Sequence, residues 1–192
     1  MTYRLVFFLF FCSCNVFAQI KNEVEIRIDK SEFPEDALNY LKLLPKKYKH
    51  LKYFKETDAK KISYEAKFWL DKRHFSVEFD ENGILEDIEI VIKKRQIPKP
   101  VLKTINIKLK NTYKKHRFLK IQKQYKNTSQ HNNPIVLKNA LQNTTSNTIY
   151  YEIITEVKYH KKRELLEITF SKDGDIMRSK TVVPESYEHV LY

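Results

Sequence analysis

Only two glycines occur in this 192-residue chain, and each closes a short polar turn between two apolar runs. Gly83 follows an Asn, and Gly174 follows an Asp. Asn-Gly and Asp-Gly pairs in this setting predict β-hairpin turns, because these residues tolerate a positive φ. The turns lie 91 residues apart, and the same spacing relates their flanks, since 65–68 matches 156–159 and 75–79 matches 166–170. This internal repeat constrains the architecture more strongly than any single residue does.

Each copy has the pattern of a helix followed by strands. In the first copy Pro34 and the acidic residues after it favour a helix start, and Leu38 and Leu41 continue at helical spacing. Alternating apolar runs follow at 51–55, 62–70, 75–79 and 84–92. We therefore predict an α+β fold of two tandem repeats, each a helix packed on a four-stranded antiparallel β-meander.

The register of the repeat predicts the domain boundaries. We expect an N-terminal lead-in over 19–32, a first repeat over 33–94, a second repeat over 95–184 and a C-terminal tail over 185–192. An insertion at 127–147 is rich in Asn, Thr, Ser and Gln, which predicts a mobile surface loop. The alternative within it is a turn of helix from Ile135 to Leu141.

The last strand of the second copy breaks the pattern of the first. Ser179 and Thr181 stand where Ile88 and Ile90 stand in the first copy. Because the apolar face is lost, we expect either an exposed edge strand or a shifted register.

The first 18 residues have the organisation of a secretory signal peptide. A short basic start with Arg4 precedes an apolar run, and the segment ends at Ala18. We expect cleavage after Ala18 and a periplasmic or secreted protein that does not span the membrane, since the apolar run is too short for a spanning helix. The alternative is a lipoprotein acylated at Cys12 or Cys14. Both cysteines lie in this segment, so the mature protein would have no disulfide and no thiolate site.

The chain is strongly basic, with 36 Lys+Arg against 24 Asp+Glu and a formal charge of +12. Loss of Arg4 with the signal peptide leaves +11. This balance favours anionic partners, such as envelope lipid, polysaccharide or an acidic protein. The alternative is a Lys-rich solvated surface. An exported protein has little access to nucleic acid, so we expect no nucleic-acid partner.

The motifs for common chemistry are absent from the sequence. Two glycines leave no G-x-S-x-G elbow and no glycine-rich phosphate loop. Six histidines form no HxH or HExxH pair. Strand alternation places Asp87 and Glu89 on a solvent face, opposite lysines. We therefore expect no enzymatic activity, no cofactor and no metal site.

The sharpest candidate for binding is Trp69, the single Trp of the chain. Alternation puts it on the outward face of its strand with Lys67, and exposed Trp residues often dominate binding interfaces. We expect Tyr53 to neighbour it, and His160 occupies the equivalent place in the second copy. The alternative is that Trp69 packs between the two repeats and closes them together.

The helix introduced by Phe33-Pro34, the strand at 64–68 and the hairpin at 79–85 resemble the PepSY-like family. Tandem copies are similar to the secreted proteins grouped with β-lactamase-inhibitor-like folds. The likeness covers 33–92 and, more loosely, 97–183, and it carries over no catalytic residue, because the matching residues all have structural roles.

This resemblance implies an exported, non-enzymatic module that presents a sheet surface to a protein partner in the cell envelope, with inhibition as one form of such binding. The alternative function is a basic surface that binds anionic lipid or polysaccharide.

Overall fold

The computed structural model describes residues 19–21, 23–59, 61–146, 148–159 and 162–182. The predicted signal peptide, the whole predicted C-terminal tail and His160 lie outside the described residues. The described strands are β1 (Gln19–Lys21), β2 (Glu23–Ile28), β3 (Lys49–Asp58), β4 (Lys61–Leu70), β5 (Arg73–Asp80), β6 (Leu85–Val91), β7 (Lys115–Lys126), β8 (Ile149–Tyr159), β9 (Lys162–Ser171) and β10 (Ile176–Val182). The described helices are α1 (Glu35–Leu41), α2 (Lys99–Thr112) and α3 (Pro134–Gln142), with 3-10 turns at Lys30–Glu32 and Lys94–Gln96.

The strands form one continuous sheet in the order β1-β10-β9-β8-β7-β6-β5-β4-β3-β2. Strands β2 to β10 are antiparallel to their neighbours, and β1 joins the edge of β10 in parallel. No helix in this part of the chain is long and apolar enough to cross a bilayer.

The predicted fold of two helix-on-meander repeats is wrong. Strand β6 pairs with β7, with Ile88 opposite Tyr125, so the strands on both sides of that pair belong to one sheet. Two additional edge strands and a third helix also depart from the predicted unit. The repeated pattern predicts turns and strands, which depend on local sequence. It does not predict which strands pair. In a separate first repeat β6 would be an unpaired edge strand, and pairing with β7 satisfies its backbone hydrogen bonds.

The two glycine turns have the predicted conformation. Gly83 has a φ of 81° and Gly174 a φ of 89°. A Cβ on Gly83 would lie 2.9 Å from the backbone nitrogen of Ala37, in the first turns of α1. A Cβ on Gly174 would lie 3.0 Å from the carbonyl oxygen of Val101, in the first turn of α2. Each hairpin turn therefore presses against the start of a helix.

The helices cover one face of the sheet and form the hydrophobic core with it. Helix α2 contributes Ile105 and Leu109, which are fully buried. They belong to the same core as the inward side chains of the central strands, among them Phe68, Phe75, Phe79, Ile88, Tyr125, Ile153 and Phe170. This burial supplies the main stabilising term in a protein whose cysteines lie outside the described residues.

The predicted insertion loop contains an ordered helix. Asn133 caps α3, because its side chain accepts a hydrogen bond of 3.0 Å from the backbone nitrogen of Ile135. Asn143 ends the helix in the left-handed conformation, with a φ of 52°. Val136, Leu137 and Ala140 of α3 are buried in the core. The expectation of a mobile loop is therefore corrected, because apolar residues at helical spacing inside the polar segment find a core to pack on.

Strand β10 has the shifted register that its sequence predicts. The shift falls between Ile176 and Arg178, where the pairing with β9 is irregular. The alternative of an exposed edge holds for the first half of β10, where Ile176 and Met177 are exposed, whereas β1 pairs along the second half from Lys180 to Val182.

Candidate functional site

The face of the sheet opposite the helices forms a polar cavity. Its volume is about 430 Å³. Eleven carboxylates and six basic side chains line it, so the cavity is acidic although the whole chain is basic. The carboxylates belong to Glu23, Glu25, Glu56, Asp58, Glu65, Glu78, Glu86, Asp87, Glu89, Glu152 and Glu167.

Strong curvature of the sheet creates this cavity. Lys180 on β10 lies 3.3 Å from the carboxylate of Asp58 on β3, although six strands separate β10 from β3 in the sheet. The two sides of the sheet thus approach each other across the polar face. Side chains that a flat sheet would leave in water are enclosed.

A first group of carboxylates surrounds Lys67 on β4. Its ammonium group lies 2.9 Å from Glu65 and donates a hydrogen bond to Glu25. Burial lowers the pKa of Lys67, but Glu65 and Glu25 outweigh burial and raise it. Burial, the Glu65 charge and the Glu23 charge raise the pKa of Glu56 well above its usual value. This group therefore contains its own cation, and Glu56 is the carboxyl that holds a proton most readily.

A second group of carboxylates lies on β5 and β6. Glu78 stands opposite Asp87 in the register, and Glu89 follows on the same face of β6. Asp87 is 2% exposed and Glu89 is 4% exposed. Burial raises the pKa of Asp87 to about 6, while the nearby Lys126 opposes this change.

The pKa values of the other two members of the group, Glu78 and Glu89, are also raised. Burial and the charges of Asp87 and Glu89 raise the pKa of Glu78 well above its usual value. Burial, Glu152 and Asp87 do the same for Glu89. Three carboxyl groups in close contact therefore resist full ionisation.

The expectation that Asp87 and Glu89 are solvated is wrong. Alternation placed them correctly on the face away from the hydrophobic core, but that face is concave. The neighbouring strand β7 also covers them, since Gln122 donates to Glu89 and Gln124 donates to both carboxylates. The exposure of these side chains depends on the curvature of the sheet, and the alternation of the sequence does not predict that curvature.

Trp69 lies on this polar face at one end of the cavity. Its side chain is 46% exposed, and its ring stands edge-on to His74 of β5 with 5.2 Å between centroids. The pairing register of β5 and β6 places Val91 opposite His74, and Val91 is also exposed. We call Trp69, His74 and Val91 the Trp69 row.

Lysines surround the Trp69 row. Burial lowers the pKa of His74 to about 4, and the charges of Lys120, Lys67 and Lys52 lower it further. His74 is therefore uncharged near pH 7 and places an uncharged aromatic ring beside the tryptophan. The row is an aromatic patch with a basic surround.

The structure brings together two of the predicted site residues. Trp69 and Lys67 share the polar face of β4, as the alternation predicts. Tyr53 does not join them, because it faces the helices and its ring lies 4.9 Å from that of Phe33. This corrects the expectation that Tyr53 neighbours Trp69. Tyr53 pairs with Ala66 of β4, which is fully buried in the core, so Tyr53 lies on the face opposite to Lys67 and Trp69.

Sequence reasoning missed most of the cavity. The signal was present as polar residues at every second position of the central strands, for example Gln122, Gln124 and Lys126 on β7. Such alternation is ordinary for a sheet with one solvated face. Only the curvature of the sheet brings these side chains together with carboxylates of seven other strands.

No protein-family model matches the sequence, and no curated protein matches it as a relative. A candidate periplasmic protein from Bacteroides eggerthii aligns with a TM-score of 0.52 and 12% identity, over 78% of this chain and 88% of its own. A DUF2874 family protein from Bacteroides uniformis aligns with a TM-score of 0.51 and 14% identity, over 77% of this chain and 88% of its own.

A BLIP-like protein from Bacteroides fragilis aligns with a TM-score of 0.49 and 17% identity, over 78% of this chain and 86% of its own. That score is too low to support a conclusion. The two higher-scoring likenesses show a shared fold over 78% and 77% of this chain.

Proposed function

We propose that this protein is an exported, non-enzymatic binding protein that offers the polar face of its sheet to a protein partner. The observation that carries the proposal is the exposure of Trp69 on the face opposite the helices. A Trp that is 46% exposed leaves a large apolar surface in water, and its burial by a partner would be strongly favourable.

The surroundings of Trp69 indicate the character of the partner. His74 and Val91 extend the apolar patch, while Lys52 and Lys120 supply positive charge near it. A complementary surface would combine an apolar pocket for the indole with an acidic rim. Inhibition of an enzyme is one function that such a contact could serve.

The exported location rests on the signal-like first 18 residues, and the fold shared with a candidate periplasmic protein supports it. Membership of the PepSY-like or β-lactamase-inhibitor-like group is part of the same proposal. The lipoprotein form, acylated at Cys12 or Cys14, is the alternative. The intact mass of the protein recovered from the envelope distinguishes cleavage after Ala18 from acylation.

Affinity capture with a matched control tests the binding proposal. Residues 19–192 are immobilised as wild type, as Trp69→Ala and as Ile135→Ala, which removes a 60% exposed side chain from α3 on the helical side. We expect an envelope protein retained by wild type and Ile135→Ala. Its Kd for Trp69→Ala should be weaker by about 30-fold or more, the loss typical of a central anchor. Equal affinity for all three proteins would refute a contact through Trp69.

A second candidate function follows from the charge outside the cavity. With the cavity residues set aside, 30 basic and 13 acidic residues remain in the chain. Such an exterior would bind anionic lipid or polysaccharide. Sedimentation with anionic vesicles should then show binding at low salt that is lost at about 0.5 M salt, because salt screens exposed charges. Binding that is absent, or unaffected by salt, would reject this candidate.

A further inference from the structure

The carboxylates of Glu78, Asp87 and Glu89 form a compact set of oxygen donors inside the polar cavity. One oxygen from each lies within 4.8 Å of the others. They stand on adjacent strands β5 and β6, whose pairing fixes their spacing. No nitrogen or sulfur donor belongs to this set among the described residues.

The other carboxylate group of the cavity differs in one respect. Glu25, Glu56 and Glu65 also lie within 4.8 Å of one another, but the ammonium group of Lys67 contacts two of them. The ammonium group of Lys67 already offsets part of the negative charge of that group. The group therefore serves as an internal reference, because it holds a cation of the protein itself.

The negative charge of the group around Asp87 is offset less than that of the group around Lys67. Lys126 lies 3.3 Å from Oδ2 of Asp87, and its side chain is 43% exposed. The other hydrogen bonds to Asp87 and Glu89 come from neutral amides, since Gln122 and Gln124 donate to these carboxylates. Burial raises the pKa of all three carboxyl groups, and neighbouring carboxylates raise it further, as expected for excess negative charge in a low-dielectric site.

Two buried oxygens beside this group have no hydrogen-bond partner. They are Oδ1 of Asp87 and Oε1 of Gln124, whose side chain is 4% exposed. The nitrogen of the Gln124 amide faces the group, because Nε2 lies 3.2 Å from Asp87 and 3.0 Å from Glu89. A half-turn about the last side-chain bond of Gln124 exchanges Nε2 and Oε1, which brings the oxygen to face the carboxylates. A buried oxygen without a partner is costly, and a cation held by the carboxylates would satisfy Oε1 after that turn.

We propose that Glu78, Asp87, Glu89 and the side-chain oxygen of Gln124 bind a calcium ion. Calcium takes oxygen donors at about 2.3–2.6 Å, so donors on opposite sides of the ion lie about 5 Å apart. The donor set is carboxylate and amide oxygen only, which suits a hard cation and disfavours zinc. Lys126 can turn toward solvent when the ion takes its place.

Thermal unfolding and calorimetric titration of residues 19–192 test the site. After treatment with EDTA, calcium at about 100 times its Kd should raise the Tm by roughly 5–10 °C. Titration should show one site, and excess EDTA should reverse the shift. Asp87→Asn should abolish the calcium-dependent shift, whereas Glu65→Gln, in the group that contains Lys67, should retain it.

Gln124→Met provides a second variant, since it removes the amide oxygen at similar volume and leaves the three carboxylates. It should weaken calcium binding at least tenfold, while near-UV circular dichroism confirms that it folds. The proposal is overturned if calcium changes neither Tm nor heat, or if Glu65→Gln loses the response and Asp87→Asn keeps it. Tighter binding of magnesium than of calcium would overturn the choice of ion.

Discussion

Gly83 is a residue whose identity the fold demands for two independent reasons. Its φ of 81° lies in the region that other residues rarely adopt, and a Cβ there would lie 2.9 Å from both Pro34 and Ala37. Both contacts are with the start of α1, so the hairpin turn and the helix cannot separate without loss of packing.

Gly83→Ala should therefore destabilise the protein by about 2–4 kcal/mol, from left-handed strain and overpacking together. Urea unfolding measures the change. Asn82→Ala, at the exposed neighbouring position of the same turn, should cost clearly less. Similar losses for the two variants would contradict the close approach of the turn to α1.

Asp87 makes stability depend on pH in the opposite sense to a carboxylate whose pKa is lowered by an ion pair. Its pKa of about 6 in the folded protein exceeds the ordinary value of 3.8, so the folded state binds the proton more tightly. The free energy of unfolding contributed by Asp87 therefore falls as the pH rises from about 4 to about 6. Glu78 and Glu89 reinforce this effect, and Lys126 and Lys61 oppose it.

In EDTA, Asp87→Asn should gain stability relative to wild type by about 1–3 kcal/mol between pH 4 and pH 6.5. The difference between the two proteins is the useful quantity, because the lowered pKa of His74 gives both of them an opposite slope over the same range. Urea unfolding at several pH values measures it. A difference that is constant with pH would show that Asp87 is ionised as in an exposed site.

At the scale of elements, strands and turns were predictable and their environment was not. The alternation in β4 placed Trp69 and Lys67 on one face, and Asn-Gly fixed the β5–β6 turn. Tyr53 was misplaced because its pairing opposite the buried Ala66, which puts it on the core face, depends on the register between β3 and β4, and the period of the sequence does not contain that register. Helix α3 was hidden in a polar segment, where composition favours a loop although three apolar residues reach the core.

Helix α3 depends on its first residue for order. Asn133→Ala removes the side-chain cap on Ile135 and should cost about 0.5–2 kcal/mol. Lys138→Ala, at an exposed position of the same helix, should change stability little. Urea unfolding of both variants measures the contrast, and an equal effect of the two would argue against the cap.

At the scale of the whole molecule, the repeat predicted two units and the structure has one sheet. The pairing of β6 with β7, together with a shared hydrophobic core, joins the two sequence copies. Repetition of a pattern shows which local structures recur. How the recurring parts join depends on which strand edges pair, and that choice is made by tertiary packing.

A single sheet and core predict one cooperative unfolding transition for residues 19–192. Calorimetry should give a van't Hoff enthalpy equal to the calorimetric enthalpy. Two resolved transitions, or a van't Hoff enthalpy near half of the calorimetric value, would show instead that the two halves unfold independently. Gly83→Ala and Gly174→Ala should lower the same single Tm, although their turns lie in different halves of the chain.

The central claim is that the polar face with its exposed tryptophan contacts a partner. Trp69 is the single Trp of the chain, so biosynthetic labelling with 5-fluorotryptophan gives one ¹⁹F resonance from this side chain. Titration with the captured partner should shift that resonance and protect it from a soluble paramagnetic agent, to a degree set by the Kd. A resonance that stays unshifted and fully accessible at saturation would contradict the claim.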